Sequence, residues 1–259
     1  MPQPLLGVNA GQPIIEVRGL TASYGGQTIL EDVSFEVPPG EVLVVVGGSG
    51  CGKSTLLKHM IGLHEPSAGR VVIDGVEVTE ARGEELTRLH SGIGVLFQSG
   101  ALFGSLTLLE NVALPLTDFT ELPHAAALEV ARAKLVMMGL AGYENHLPSE
   151  ISGGMKKRAG LARAMALDPK VLFFDEPSAG LDPVTSAELD QLILRINAGL
   201  GTTMVIVTHE LASIYAIADR VMMLDKSAKG VIAQGDPRLL RDTSDDPRVR
   251  SFFLRQPRS

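Results

Sequence analysis

Several residue types are scarce in this chain of 259 residues, and each shortage excludes a class of protein. There is no tryptophan, and Cys51 is the one cysteine. A single cysteine permits no disulfide within the chain, which is typical of proteins that work in a reducing compartment. Lysine and arginine together number 23 against 30 acidic residues, a formal net charge of −7. The chain therefore has no overall basic field to hold nucleic acid, and we expect no nucleic-acid partner.

Long hydrophobic runs are also missing. The longest runs, such as residues 42–46 and 204–207, fall far short of the roughly 20 apolar residues that a membrane-spanning helix needs. Residues 1–13 lack the charged start and the apolar stretch of a secretory signal, and we expect a loose leader there. Hydrophobic residues still make up 45% of the chain, enough to build a substantial core without disulfides.

The chain instead has short β-branched runs that alternate with helix-like segments, which indicates an α/β protein. Three runs are apolar without alternation, as expected of parallel strands buried on both faces. They are residues 42–46, 171–174 and 204–207. The early runs alternate between apolar and polar residues, which predicts a smaller antiparallel sheet with one face toward solvent. They lie near residues 14–20, 33–37 and 71–78.

Strand signals nearly vanish between residues 107 and 168, where residues 124–140 show helical spacing. We therefore predict a parallel-sheet core, an N-terminal antiparallel β subdomain, and an inserted helical subdomain at about 99–167. These parts form one main domain over residues 14–235, followed by a C-terminal extension over residues 236–259.

A glycine-rich loop follows the first apolar run. Residues 47–54 fit the pattern G-x-x-x-x-G-K-[ST], between an apolar strand and a helix-like segment at 55–60. Glycines let successive backbone N–H groups surround phosphates, and the helix adds its positive N-terminal end. Lys53 can then reach the β- and γ-phosphates, and the Ser54 hydroxyl can ligate Mg²⁺. A glycine-rich turn that matches by chance is the alternative, and the flanking strand and helix argue against it. The candidate nucleotide-binding residues here are Gly47, Gly48, Ser49, Gly50, Cys51, Gly52, Lys53, Ser54 and Thr55.

Two carboxylates, Asp175 and Glu176, end another apolar run. The carboxyl end of a buried parallel strand lies at the ligand-binding edge of an α/β sheet. There Asp175 can hold Mg²⁺, and Glu176 can polarise the attacking water, a role that contributes about 10²–10⁴-fold in rate. Alternatively, the acids only stabilise a helix N-terminus, an effect of about 0.3–1 kcal/mol. A third motif, Ser152-Gly153-Gly154, has a helix N-cap residue and two glycines that allow an anion to approach the backbone.

These motifs together resemble those of the ATPase subunits of ABC transporters, and the resemblance covers the chain from about residue 14. GGSGCGKST resembles the Walker A loop, VLFFDE the Walker B strand, and ISGGM the signature usually written LSGGQ. The resemblance implies a P-loop NTPase with a RecA-like parallel sheet, ATP as substrate and Mg²⁺ as cofactor.

The resemblance also implies roles for single residues. Tyr24 would stack on adenine, Gln98 would touch Mg²⁺ and the water, and His209 would contact the γ-phosphate. Asp182, which closes the segment SAGLD that resembles the D-loop, is a further expected nucleotide-binding residue. Taken singly, Tyr24, Gln98 and His209 have plainer interpretations as a strand-end aromatic, a polar loop residue and a surface imidazole.

A functional dimer follows from the same resemblance, with Ser152, Gly153 and Gly154 of one copy closing over the ATP of the other. The pair would sit beneath a dimeric membrane permease, on the cytoplasmic face of a bacterial inner membrane. Residues 101–109 are the candidate permease-docking surface, with ordinary internal packing as the alternative.

One departure from the usual signature indicates a subfamily, because Met155 stands where the signature usually has glutamine. The surrounding sequence is similar to ATPases that drive lipid transporters with MCE-type substrate-binding proteins, including the Mla phospholipid system of outer-membrane lipid asymmetry. That implies a periplasmic MCE lipid-binding protein and, in some systems, a small STAS-domain partner. Transport of another substrate, a soluble ABC ATPase outside transport, and a nucleotide-binding regulatory module without turnover are the alternatives.

The C-terminal extension contains the neighbouring residues Phe252 and Phe253. Exposed paired phenylalanines promote association, so we hypothesise that this tail docks on the second copy or on the small partner. The alternative is that the two rings fold back onto their own domain.

Overall fold

Two separate β-sheets form from the two kinds of strand that the sequence predicts. The computed structural model describes residues 12–256, so residues 1–11 of the predicted leader and residues 257–259 lie outside the described part. The strands are β1 (Ile15–Tyr24), β2 (Gln27–Val37), β3 (Val42–Gly47), β4 (Ala68–Ile73), β5 (Val76–Glu77), β6 (Ile93–Leu96), β7 (Val171–Asp175), β8 (Thr203–Val207), β9 (Arg220–Asp225) and β10 (Gly230–Gly235). The first sheet is antiparallel in the order β2-β1-β4-β5. The second has the order β10-β9-β3-β8-β7-β6 and is parallel except for β10 at its edge.

The helices occupy the stretches between these strands. Within the described residues the α-helices are α1 (Lys53–Met60), α2 (Gly83–Gly92), α3 (Leu108–Phe119), α4 (His124–Met137), α5 (Gly153–Ala164), α6 (Pro183–Leu200), α7 (Leu211–Ile217), α8 (Pro237–Thr243) and α9 (Pro247–Leu254), and a short 3-10 helix covers Pro148–Glu150. Helices α3 to α5 fall where the sequence predicts the helical subdomain, and no strand lies between residues 97 and 170, all of which are described. No helix of the described chain combines the length and the apolar character needed to span a membrane.

The parallel sheet separates two hydrophobic cores. Val42, Val44 and Val46 of β3 face a core shared with the helical stretch, whereas Leu43 and Val45 face a core shared with the antiparallel sheet. Every residue of β3 is buried, because apolar groups cover both faces of the strand. This two-sided burial explains the continuous apolar runs of the sequence. It also places the carboxyl ends of β3, β6, β7 and β8 along one edge of the sheet.

The C-terminal extension packs on its own domain. Val249 is fully buried and Phe253 is 4% exposed, and both belong to the core that the helical stretch shares with the sheet. The Phe253 ring lies 6.1 Å from the Tyr215 ring, and the Arg248 guanidinium lies 3.1 Å from the Asp225 carboxylate. Phe252 is half-buried against Phe253. The docking hypothesis assumes that both phenylalanines are exposed, and that assumption is wrong. Phe253 instead folds back onto its own domain, as the alternative expects.

Candidate active site

The glycine-rich loop connects β3 directly to α1, which begins at Lys53. Gly47 has φ 146°, and a Cβ there would lie 2.3 Å from the Leu224 carbonyl oxygen and 2.6 Å from the Cys51 sulfur. Gly52 has φ 103°, and a Cβ there would lie 2.7 Å from a Leu30 methyl carbon. Glycine is therefore required at both positions for conformation and for space. The loop is held close against β9 and the antiparallel sheet.

Two side chains of the loop have different environments. The Lys53 ammonium donates to the carbonyl oxygens of Gly47 and Gly48 at 3.0 and 3.2 Å, which places it over the loop. The Cys51 thiol is buried, and burial raises its pKa. A neutral buried thiol packs as a small apolar group. Cys51 therefore contributes its backbone, and not a reactive sulfur, to this part of the site.

Oxygen ligands suitable for a magnesium ion meet beside the loop. The Ser54 hydroxyl at the start of α1 donates to the Asp175 carboxylate at the end of β7, 3.2 Å away. Gln98, two residues beyond β6, lines one cleft together with Asp175. In the described part of the chain, no group of three or more acidic, histidine or cysteine side chains is arranged to hold a metal ion by itself. Mg²⁺ typically binds one or two protein ligands together with phosphate oxygens and water, and the Ser54–Asp175 pair fits that requirement.

Glu176 and His209 form a direct pair next to the same cleft. The His209 Nδ1 atom lies 2.8 Å from Glu176 Oε1. Glu176 adopts a left-handed backbone conformation, φ 48°, and its N–H donates to the Val207 carbonyl at 2.8 Å. The other carboxylate oxygen, Oε2, is buried and has no hydrogen-bond partner among the described residues. That arrangement holds one oxygen of Glu176 in place and leaves the second as an acceptor for water.

The signature segment is positioned by different neighbours. Ser152 caps α5, and its hydroxyl accepts from the Met155 N–H at 3.3 Å. A Cβ on Gly153 would lie 3.8 Å from Leu181, and one on Gly154 would lie 2.5 Å from the Thr185 methyl carbon. Ser152 and Gly153 are both exposed. The signature therefore packs against the segment after β7 and the start of α6, and presents its first residues to solvent.

Asp182, an expected nucleotide-binding residue, caps the N-terminus of α6. Its carboxylate accepts from the backbone N–H groups of Val184 and Thr185 at 3.0 and 3.1 Å. The Thr185 hydroxyl also donates to it at 2.5 Å, and these hydrogen bonds, that of the Thr185 side chain first, lower the pKa of Asp182. The structure thus gives the Asp182 carboxylate a role in shaping the segment beside the signature.

Tyr24 is the last residue of β1 and is 43% exposed. Its ring makes edge-on contacts with His64 and His59, with centroid distances of 5.6 and 6.2 Å. His59 lies on α1, where its Nδ1 atom is 2.7 Å from the Thr55 carbonyl oxygen. Sequence reasoning missed both histidines, and their only signal is that they follow the glycine-rich loop within a dozen residues. Tyr24 therefore packs against α1 through the ring of His59.

A sequence profile described as ABC transporter matches residues 30–179. The chain belongs to the ABC transporter family. It is an ATPase that binds ATP, as the resemblance implies, and its α/β fold with one mixed and one antiparallel sheet is that of the family's cassettes.

Two groups of curated relatives align over nearly the whole chain. The probable ribonucleotide transport ATP-binding protein Mkl of Mycobacterium leprae is 47% identical over 92% of this chain and 68% of its own length. For Mkl of Mycobacterium tuberculosis the chain spans 66% of the relative's length at the same identity. The intermembrane phospholipid transport system ATP-binding protein MlaF of Escherichia coli K12 is 38% identical over 93% of this chain and 88% of MlaF.

Solved structures give the same fold. A dimeric ATP-binding cassette in a post-hydrolysis state, bound to ADP and Pi, superposes with a TM-score of 0.78. It is 30% identical, and the match covers 86% of this chain and 98% of that one. CbiO1 of Clostridium perfringens, part of the ABC transporter complex CbiONQ, has a TM-score of 0.79 at 29% identity, covering 94% and 96% of the two chains.

Proposed function

We propose that this ATPase powers phospholipid transport for outer-membrane lipid asymmetry. The carrying observation is the likeness to MlaF, which extends over 93% of this chain and 88% of MlaF. The methionine of the signature, Met155, supports the same assignment. Transport of another substrate is the second candidate, because Mkl carries the name of a ribonucleotide transport protein. In either case the ATPase itself does not contact the cargo.

The residues of the site divide between binding and hydrolysis. The backbone N–H groups from Gly48 to Thr55 bind the phosphates, the Lys53 ammonium reaches the β- and γ-phosphates, and Tyr24 stacks on adenine. Ser54, Gln98 and Asp175 would hold Mg²⁺, which when bound neutralises charge on the phosphates. This assignment is supported by the hydrogen bond of 3.2 Å between Ser54 and Asp175.

Glu176 is the residue that polarises the attacking water. Its Oε2 atom is available to accept a proton, while Oε1 is held 2.8 Å from His209. His209 is 60% exposed, and its Nε2 atom, which lies 4.0 Å from a carboxylate oxygen of Glu210, can approach a γ-phosphate from the solvent side. The pair is fixed at the carboxyl ends of the neighbouring strands β7 and β8, which holds both groups in register.

A second copy of the chain completes each site. Within its own chain the signature has space for a Cβ at Gly153 but not at Gly154, where Thr185 is too close, and it leaves Ser152 and Gly153 exposed. They are free to donate to the γ-phosphate of an ATP held by another subunit. The dimeric cassette that superposes on this chain supports that arrangement. Two ATP molecules would lie between two subunits, and hydrolysis would open the pair.

The dimer would bind a membrane permease on the cytoplasmic face of the inner membrane. Residues 101–109 are the docking surface, and Phe103 within them is 56% exposed. The buried Asn111 side chain accepts from the Phe103 N–H at 2.8 Å and donates to the Phe103 carbonyl at 3.1 Å, which fixes the loop. A rigid loop that presents an aromatic ring suits a protein contact. A periplasmic MCE protein and a STAS-domain protein complete the proposed complex.

The test is reconstitution of this ATPase with its proposed permease and MCE partners. We expect ATP-dependent movement of a fluorescent phospholipid between vesicles and the MCE protein, and no transport of a labelled ribonucleotide other than ATP. The matched control is the same complex carrying Glu176→Gln, which binds ATP without turnover. Ribonucleotide transport with no phospholipid movement would contradict the phospholipid assignment and leave the ATPase assignment intact.

A further inference from the structure

One lysine on the signature helix reaches the residues that surround the attacking water. Lys157 lies on α5, one turn after Gly153, and is 5% exposed. Its ammonium donates to the Gln98 carbonyl oxygen and, at 3.3 Å, to the Glu176 carbonyl oxygen. Burial lowers the pKa of Lys157, and the charges of Glu176 and Asp175 act in the opposite direction. A buried cation is costly unless its hydrogen bonds are satisfied, so its placement here indicates a specific task.

The hydrogen bonds of the Glu176 carbonyl help to hold the unusual backbone conformation of this residue. Left-handed backbone conformations are uncommon for residues other than glycine and persist where surrounding contacts hold them. Three contacts hold Glu176: its N–H donates to Val207, and its carbonyl accepts from the Ala179 N–H at 3.2 Å and from Lys157. The direction of the carboxylate toward His209 depends on this backbone conformation.

The loop that begins at Gln98 is fixed against the same helix. A Cβ on Gly160 of α5 would lie 2.9 Å from the Gly100 carbonyl oxygen. The Arg163 guanidinium donates to the carbonyl oxygens of Ala101 and Gly100 at 2.9 and 3.3 Å. The helix and the loop are therefore packed without free space between them, and a shift of α5 must move both Gln98 and the Lys157 ammonium.

We propose that Lys157 is a positioning residue for ATP hydrolysis, because it bridges the backbone carbonyls of Gln98 and Glu176 and thereby sets the direction of the Glu176 carboxylate. The inference rests on the proposed function, in which Glu176 polarises the water. It has a consequence for the dimer, since the signature of each subunit acts on its partner's ATP. When the partner's ATP displaces the signature, the displacement would pass through one turn of α5 to Lys157 and so to Glu176 of the same subunit.

The test compares three variants of the full chain. Lys157→Met removes the ammonium and keeps the apolar stem, and Lys157→Gln keeps a hydrogen-bond donor. The matched control is Lys134→Met on α4, which removes another buried lysine, one that pairs with Asp168 away from the nucleotide site. We expect kcat to fall at least about ten-fold in Lys157→Met, with the Kd for a non-hydrolysable ATP analogue changed less than about two-fold. We expect Lys157→Gln to fall between, and Lys134→Met to keep the parent kcat.

Either of two results would overturn the inference: a Lys157→Met kcat within about two-fold of the parent, or a fall in affinity that accounts for the whole loss of rate. If Lys157→Met does not fold, Lys157→Gln is judged by the same limits, and failure of both to fold would make Lys157 a purely structural residue. Glu176→Gln is measured in parallel. Full activity of Glu176→Gln would refute the proposed site, whereas an inactive Glu176→Gln beside a fully active Lys157→Met refutes only the role of Lys157.

Discussion

Replacement of Glu176 by glutamine is expected to reduce ATP hydrolysis by about 10²–10⁴-fold, the usual contribution of a general base. Glutamine has nearly the same shape, but it cannot take a proton from the attacking water. The Glu176 Oε2 atom is buried and has no hydrogen-bond partner among the described residues, so it is the oxygen available to accept that proton. Phosphate release at saturating Mg-ATP measures the effect.

The same variant is expected to bind ATP with the affinity of the parent chain, since Glu176 is not among the phosphate-binding groups. ATP that is bound and not hydrolysed should trap the closed pair of subunits, which light scattering would detect as a dimer in Mg-ATP. Glu129→Gln is the matched control, because it makes the same chemical change at an exposed position of α4. Hydrolysis by Glu176→Gln at the parent rate would show that another group polarises the water.

Replacement of Lys53 by alanine is expected to weaken ATP binding itself. The Lys53 ammonium lies over the loop, within 3.0 and 3.2 Å of the Gly47 and Gly48 carbonyls, where the phosphates would bind. A hydrogen bond to a charged group contributes about 1.5–3 kcal/mol, so the Kd for ATP should rise by about 10- to 150-fold. Titration calorimetry with a non-hydrolysable ATP analogue measures this change.

Lys58→Ala is the control for Lys53→Ala, because Lys58 lies on the same helix α1 with its side chain exposed. Its affinity for the analogue should match that of the parent chain. A Lys53→Ala variant that loses hydrolysis and keeps full affinity would contradict the role given to this lysine.

Sequence reasoning predicts those parts of the fold that local patterns specify. The continuous apolar run of β3 indicates a strand buried on both faces, and the alternation in β1 indicates the antiparallel sheet. The glycine-rich loop is equally local, because the strand, the loop and α1 follow one another without interruption. Asp175 and His209 lie at the same sheet edge because the strands that precede them, β7 and β8, are parallel and end at that edge.

The remaining features depend on contacts between distant parts of the chain. A lysine within a helix is typical of a solvent-exposed face, and no local pattern indicates that Lys157 is buried between Gln98 and Glu176. The left-handed conformation of Glu176 is also set by contacts with other segments. For the same reason, the sequence around Phe253 leads to the hypothesis of a tail that docks on another subunit, whereas the Phe253 ring packs against Tyr215 of its own chain.

In the proposed mechanism two copies of the chain complete each nucleotide site, and a mixture of two inactive variants tests this arrangement. One variant is Lys53→Ala, which lacks the phosphate-binding lysine. The other is Gly153→Asp, which places a negative charge where the signature would meet the γ-phosphate. A side chain fits at Gly153, because its Cβ would lie at an ordinary 3.8 Å from Leu181, whereas Gly154 has no such room.

A mixed pair contains one site in which both the loop and the signature are intact. Random pairing of equal amounts makes about half of the dimers mixed, so about one quarter of all sites are restored when the sites act independently. Each variant alone is expected to be inactive, and the mixture is expected to hydrolyse ATP at a rate that approaches one quarter of the parent rate. A mixture as inactive as its components at every ratio, with Gly153→Asp still binding ATP, would contradict a site shared between two subunits.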